Sequence, residues 1–261
     1  MKKEPTVTIL ILTFNSGVYL EKTINSCLTQ TYKNIEVIVV DDCSTDGTVQ
    51  YLESLKGIRL IKREANQGIS RNVNFGVQNS SGEYILILGH DDILPCTHIE
   101  NMIKEFNDDV GLVHCNAVRI DSGGKILKLE RDPSAQLIKT ENVMQQLAID
   151  NFISSCGLIF KKEVFMSFGG WDESYKLYGE WLSYIKFSSV SKIKFCETSH
   201  AYYRVHNKST MKMINNTQKI DIQNYKRMCR DLAYNKLSQS EKSLMLRIKR
   251  GIRIAKENFN G

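Results

Sequence analysis

The sequence predicts an α/β protein: a mostly parallel sheet with helices on both faces, followed by a basic helical extension. Three observations carry this. Strand-like and helix-like segments alternate through the first half of the chain, the order expected of a parallel sheet with crossover helices. The strand-like runs are apolar throughout instead of alternating with polar residues, so both their faces are covered. Towards the end the alternation stops and the chain becomes helical and cationic.

In order, Thr6 to Thr13 (TVTILILT) is a β-branched run followed by the turn Phe14-Asn15-Ser16-Gly17. Val18 to Gln30 sets Leu20, Ile24, Cys27 and Leu28 at helical spacing. Ile35 to Val40 is a second strand ending in Asp41-Asp42; Ser44-Thr45-Asp46-Gly47 has turn and cap chemistry, and a helix follows from Thr48 to Leu55. Ile58 to Ile61 is a third strand. The loop Asn66-Gln67-Gly68, a helix over Ser70 to Asn79 and the turn Ser80-Ser81-Gly82 lead into Tyr84 to Leu88, a strand that runs into Gly89-His90-Asp91-Asp92. Thr97 to Phe106 reads as a helix, Val110 to Val118 as a strand, Asp121 to Lys125 as a hairpin turn, and Ser134 to Asp150 as a polar stretch turning amphipathic. Ser155 to Phe160 is a strand, Lys162 to Phe168 a helix, and Ala201 to His206 a strand. Beyond Asn215 the apolar set is Ile220, Tyr225, Met228, Leu232, Leu237, Leu244, Ile248 and Ile252.

Composition narrows the class. A chain of 261 residues buries a full core. No apolar run approaches the roughly 20 residues that cross a bilayer, and Met-Lys-Lys-Glu-Pro leads straight into a strand, which predicts no export. Seven cysteines without CxxC spacing predict reduced thiols in the cytoplasm rather than a zinc or disulfide framework. From Asn207 onward 13 Lys or Arg face four Asp or Glu, a local charge of +9 in a chain of +6, so the preceding body is mildly acidic. Such a tail points to an anionic partner.

Chemistry concentrates where two strands end in acids, Asp41-Asp42 and Asp91-Asp92. Open α/β sheets bind ligands outside the carboxyl ends of their strands. Adjacent carboxylates there repel unless a cation joins them, which suits a divalent Mn or Mg; a solvated Asp-Asp cap opening the next helix fits the residues alone equally well. The absence of GxGxxG and GxxxxGK[ST] excludes a dinucleotide fingerprint and a P-loop.

Together the segments TVTILILTFN, VVDDCSTDGT, NQGIS and GEYILILGHDD resemble the nucleotide-sugar-binding half of family 2 glycosyltransferases, which have the GT-A fold. The resemblance is strong from Thr6 to Leu94 and weaker to Ser209. It implies a GT-A domain over 1–210, with 1–95 binding the nucleotide sugar and 96–210 forming the acceptor and catalytic half, then a helical extension over 211–261. It implies that Thr13, Phe14, Asn15, Asp41 and Asp42 hold base and ribose, and Asn66, Arg71 and His90 are taken as further nucleotide-binding residues. The DxD motif maps onto Gly89-His90-Asp91, making Asp91 the metal ligand, with its neighbour Asp92 and the later His206 as further metal candidates. Gly89 replaces the first carboxylate of that motif. Val73-Asn74 stands where the family often has Arg-Asn, and Arg71, two residues earlier, lies about 200° away around the helix.

The segment Gly169-Gly170-Trp171-Asp172-Glu173 and the later Gly179-Glu180 resemble the family's GG(F/W)DE and Glu-Asp positions. Glu180 is then the catalytic base, with Asp172 in reserve, and Trp171 and Trp181 either stack on a sugar or fill the core. Tyr203-Arg204-Val205-His206 resembles the segment whose histidine approaches metal or diphosphate; Arg204 and Lys208 would offset leaving-group charge. The implied function is inverting transfer of a sugar from a nucleotide donor, UDP-linked, to a hydroxyl of a glycan or lipid-linked acceptor in cell-surface polysaccharide synthesis. The alternatives are a nucleotide-binding relative without transfer activity, marked by Gly89, and a membrane-surface adaptor. The stretch LRIKRGIRIAK reads either as a helix on the anionic inner face of a membrane or as a helix docked on the body. Nucleic acid is a poor partner, because only Tyr225, Tyr234 and Phe259 interleave with the tail's cations.

Overall fold

In the computed structural model, which describes residues 4–127, 142–175, 178–207 and 216–259, the apolar runs form one seven-stranded sheet in the order β3-β2-β1-β4-β6-β5-β7. The strands are β1 (Val7–Thr13), β2 (Ile35–Asp41), β3 (Arg59–Lys62), β4 (Tyr84–Gly89), β5 (Val110–Ile120), β6 (Ile159–Lys161) and β7 (Lys192–Arg204). Only β6 runs against its neighbours: it pairs antiparallel with β4 and β5, while β1–β2, β1–β4, β2–β3 and β5–β7 are parallel.

Side chains alternate along each strand, so the sheet carries two cores. Val7, Ile9 and Ile11 of β1 face one side, where α1 (Leu20–Leu28) supplies Leu20, Ile24 and Cys27 and α4 (His98–Ile103) supplies Ile99 and Met102; Leu52 of α2 (Thr48–Glu53) joins them. Leu10, Ile38 and Val40 face the other side and meet Val73 and Val77 of α3 (Ile69–Gln78). That second layer continues through α5 (Val143–Leu147), α6 (Lys162–Ser167) and α7 (Glu180–Val190). Each fully buried aliphatic side chain contributes roughly 1.5–3 kcal/mol.

The helical extension expected over 211–261 packs on the body. Tyr225, Cys229, Ala233 and Leu237 of α8 (Asn216–Lys236) and Leu246 of α9 (Leu244–Phe259) are buried in the same core as α3 and α7. Arg230 donates to the Ile149 carbonyl at 2.9 Å and lies over Trp181, Arg253 reaches Asp150 at 2.5 Å, and Arg250 pairs with Asp231. Among the described residues, no helix is long and apolar enough to cross a membrane. Two strands differ from expectation. β7 begins at Lys192 rather than Ala201, because its opening KIKFC alternates as a half-exposed edge strand does. β6 is cut to three residues, Gly157 just before it having φ 75°, a left-handed turn that interrupts regular extended backbone.

Between the layers sits a wholly buried histidine. His98 Nε2 lies 2.7 Å from the Gly157 carbonyl, and Nδ1 lies 2.9 Å from the Ser199 hydroxyl and 3.0 Å from the His200 carbonyl. A neutral ring donating from Nε2 and accepting from Ser199 satisfies the first two. Burial depresses its pKa from 6.5 to about 4. The unfolded chain therefore binds a proton that the folded one refuses: this stabilisation is present above pH 6.5 and lost as pH falls towards 4, about 3 kcal/mol in all. Chemical denaturation at a series of pH values in this window should show that slope in the wild type and a flatter one in His98→Gln.

Candidate active site

The chain leaves β1 for β2 and β3 on one side and returns to β4 on the other, so the connection reverses between β1 and β4. At such a switch point the loops at the carboxyl ends part and leave a crevice. Thr13 pairs with Asp41 and Leu12 with Gly89; the acidic tips of β2 and β4 thus lie at the same end of the sheet, two strand spacings or roughly 10 Å apart.

On the β2 side the acids build the loops. Asp41 Oδ1 accepts the Ser44 N–H at 2.9 Å, and Oδ2 accepts the hydroxyls of Ser44 and Thr13 at 2.5 and 3.1 Å. Asp42 accepts the N–H groups of Gln67 and Gly68 at 2.7 and 2.9 Å, so it holds the Asn66-Gln67-Gly68 loop and the head of α3. Asn15, at φ 49°, accepts the Thr45 N–H at 2.9 Å and laces the β1 and β2 loops together. Thr13, Asp41 and Asp42 are buried, whereas Phe14 (45% exposed), Asn15 and Asn66 stand at the surface. The buried three are a floor whose polar atoms are largely spent inside the protein.

The β4 tip is built differently. Asp91 Oδ2 lies 2.8 Å from His206 Nε2, with the histidine ring against Tyr19 at 4.8 Å. Asp92, expected with Asp91 at the metal, is buried (5% exposed), and its Oδ1 accepts the Arg204 N–H at 3.1 Å. Burial, then the neighbouring Asp91 charge, push its pKa up to about 7. Gly89 leaves no gap: a β-carbon there would lie 2.9 Å from Asp91 Oδ1 and 3.1 Å from Asp92 Oδ2. The space of the missing carboxylate is filled by the two that follow it. His90, part-exposed, gives its carbonyl to the Thr23 hydroxyl at 2.9 Å.

Among the described residues no group of three or more His, Cys, Asp or Glu side chains converges as metal ligands. Asp91 and His206 still fit a divalent ion. Adjacent ligands of a hexacoordinate ion at about 2.1 Å stand roughly 3 Å apart, and such ions commonly take one or two protein donors and complete their shell with water and phosphate. The 2.8 Å separation matches.

Several expected contacts are relocated. Arg204 is fully buried; its guanidinium donates to the carbonyls of Asp91, Asp121 and Ser122 at 2.9, 3.0 and 3.2 Å and lies over Tyr19. It clamps the Asp121 hairpin to the β4 tip instead of meeting a diphosphate. Trp171 and Trp181, 7% and 2% exposed, belong to the core and offer no face for a sugar. Arg71 pairs with Glu173 at 3.3 Å and Gln67 at 2.8 Å. Asp172 accepts the Ser174 N–H and hydroxyl in a local turn. Lys208 lies outside the described residues.

Glu180 opens α7. A β-carbon on Gly179, the residue before it, would lie 3.1 Å from Ser70 Oγ, which brings the start of α7 against the head of the α3 that Asp42 holds. Some surface of Glu180 is exposed, but its carboxyl is desolvated: burial raises its pKa, opposed by its own N–H, that of Gly179, and Lys226. Asn74 escaped the sequence reading as a site residue. Buried in α3, it donates to the Trp171 carbonyl and Glu173 and accepts the Trp171 N–H at 2.9 Å, pinning the GGWDE loop. Tyr19 also escaped it; no local pattern marks a tyrosine that packs between His206 and Arg204.

Solved structures with this architecture define the class. The chain superposes on Staphylococcus aureus TarS 1–349 in complex with UDP-GlcNAc with a TM-score of 0.67 at 16% identity, covering 96% of this chain and 80% of that one. It superposes on a mannosyltransferase from Pyrobaculum calidifontis in complex with GDP-Man and Mn2+ with a TM-score of 0.64 at 15% identity, covering 99% and 88%. The fold is GT-A. A model described as glycosyl transferase family 2 matches residues 8–168, and an uncharacterized glycosyltransferase of Rickettsia typhi is 31% identical over 210 residues, 79% of this chain and 66% of that protein. The chain belongs to glycosyl transferase family 2. It spans only part of its relatives: an uncharacterized glycosyltransferase of Rickettsia conorii is 31% identical over 217 residues, which are 80% of this chain but 36% of the relative.

Proposed function

We propose that this chain is a metal-dependent, inverting glycosyltransferase that moves a sugar from a UDP-linked donor to a hydroxyl of a glycan or lipid-linked acceptor in cell-surface polysaccharide synthesis. The observation that carries it is the Asp91–His206 pair at the sheet's switch point, next to a floor organised by Asp41 and Asp42. Phe14 and Asn15 border the nucleoside end. Asp91 and His206 would hold a manganese or magnesium ion, which when bound supplies positive charge to the departing diphosphate. Glu180 takes the proton of the attacking hydroxyl, and its raised pKa makes it a stronger base than an ordinary surface carboxylate. The UDP-GlcNAc bound to TarS and the GDP-Man and Mn2+ bound to the mannosyltransferase support a nucleotide-sugar donor and a divalent metal.

A thermal-shift screen of UDP- and GDP-sugars, with and without manganese, tests this. A ligand that prefers the folded state raises the melting temperature, and the expected result is a manganese-dependent rise with a UDP-sugar that Asp91→Asn loses. No shift with any nucleotide sugar would sink the proposal, and a shift without nucleotide release would favour the inactive-relative reading. The tail bears on location: Arg247, Lys249 and Ile252 of α9 are exposed while Arg250 and Arg253 are paired inward. This supports a docked helix with a cationic outer face, suited to peripheral contact with an anionic inner membrane surface.

A further inference from the structure

Amide groups in the first turn of a helix have no partner inside it. Gly179 holds the cap position of α7 and no side-chain cap is made there. The Leu182 N–H is taken from outside the helix: Tyr225 Oη on α8 accepts it at 3.0 Å. Tyr225 is 3% exposed and packs against the rings of Tyr175 and Tyr178 at 4.6 and 5.0 Å. Tyr178 lies two residues before Glu180, and the Tyr175 carbonyl accepts the Ser70 hydroxyl at the head of α3. One tyrosine of the C-terminal helices therefore joins the first turn of α7 to the loop that meets the nucleotide end of the sheet.

We propose that Tyr225 is a positioning residue for transfer, holding the first turn of α7 and hence Glu180 in place from the C-terminal helices. This rests on Glu180 being the base. The family match ends at residue 168, so it assigns no role to either residue. The groups facing Glu180 are Tyr184 of its own helix, Tyr225, Lys226 and Cys229 of α8, and the N–H groups of Gly179 and Glu180. Without the hydroxyl, the buried Leu182 N–H has no partner, a loss the first turn relieves by moving towards water. Movement of the base by a fraction of an ångström lowers the rate without altering donor contacts.

The test uses the full chain. Carbon-13 NMR titration of the Glu180 carboxyl, assigned with Glu180→Gln, is paired with manganese-dependent UDP release from UDP-GlcNAc. In Tyr225→Phe, which keeps the ring packing, Glu180 should titrate closer to an ordinary glutamate, and kcat should fall about tenfold with donor KM within about twofold. Tyr234→Phe, on the same helix but stacked on Arg250 and Lys242, should change neither. A Tyr225→Phe protein with unchanged Glu180 titration and kcat, altered only in melting temperature, overturns the inference. A Glu180→Gln protein that releases UDP at the wild-type rate overturns the base assignment and this inference with it; an inactive Glu180→Gln beside a normal Tyr225→Phe overturns the inference alone.

Discussion

Asp91→Asn is expected to lower manganese-dependent release of nucleoside diphosphate by about 10³-fold or more. Asparagine keeps the shape of the side chain and can still bond His206, so the fold survives. It removes the negative charge on which a divalent ion at this tip depends. Among the described residues no third ligand group compensates, and Gly89 means that the preceding carboxylate of the family pattern is absent. Manganese binding followed by electron paramagnetic resonance, beside the rate, separates this from a general disturbance: wild-type manganese affinity in Asp91→Asn would rule out the assignment. Asp92→Asn is the internal comparison. Asp92 is buried and uses Oδ1 to accept the Arg204 N–H, a bond the asparagine oxygen retains, so manganese affinity should change far less.

Glu180→Gln is expected to reduce kcat by about 10²–10⁴-fold while donor KM stays close to wild type. Glutamine fills the same space at the start of α7 but cannot take a proton. A base must be ionised to work, so the wild-type rate falls as pH drops through the Glu180 pKa. Burial raises that pKa, which moves the acidic limb of the kcat profile above the range of an unperturbed glutamate. A pH–rate profile measured with the donor chosen by the thermal-shift screen checks both points. Loss of donor affinity with unchanged kcat would instead make Glu180 a binding residue.

Much of the donor end was legible because its signals are local. Apolar β-branched runs, their lengths, and the turns Phe14 to Gly17 and Ser44 to Gly47 specify strands, loops and helix starts within a few residues. The acids at the tips of β2 and β4 stand out because a charge at the end of a buried strand is costly without a use. The edge strand β7 was harder: its first half is polar on one face, so its sequence resembles a loop until Ala201. The two tryptophans and Arg204 were left open by the sequence for a related reason. Trp171, Trp181 and Arg204 have the chemistry of sugar and phosphate recognition, but burial decides whether that chemistry faces a ligand, and burial here depends on elements far away in the chain.

By itself the amino-acid sequence determined the α/β class, the alternation of strand and helix up to β4, the family, and the acidic positions on which the proposed chemistry rests, since each depends on periodicity or motifs within short windows. Only the tertiary structure decided that Asp91 meets His206, that Asp92 lies beneath the site, and that the basic tail is part of the core, with Tyr225 capping the helix of Glu180. Those contacts join residues far apart in the chain. They exist because packing on both faces of the sheet brings them together, and no local pattern carries that information.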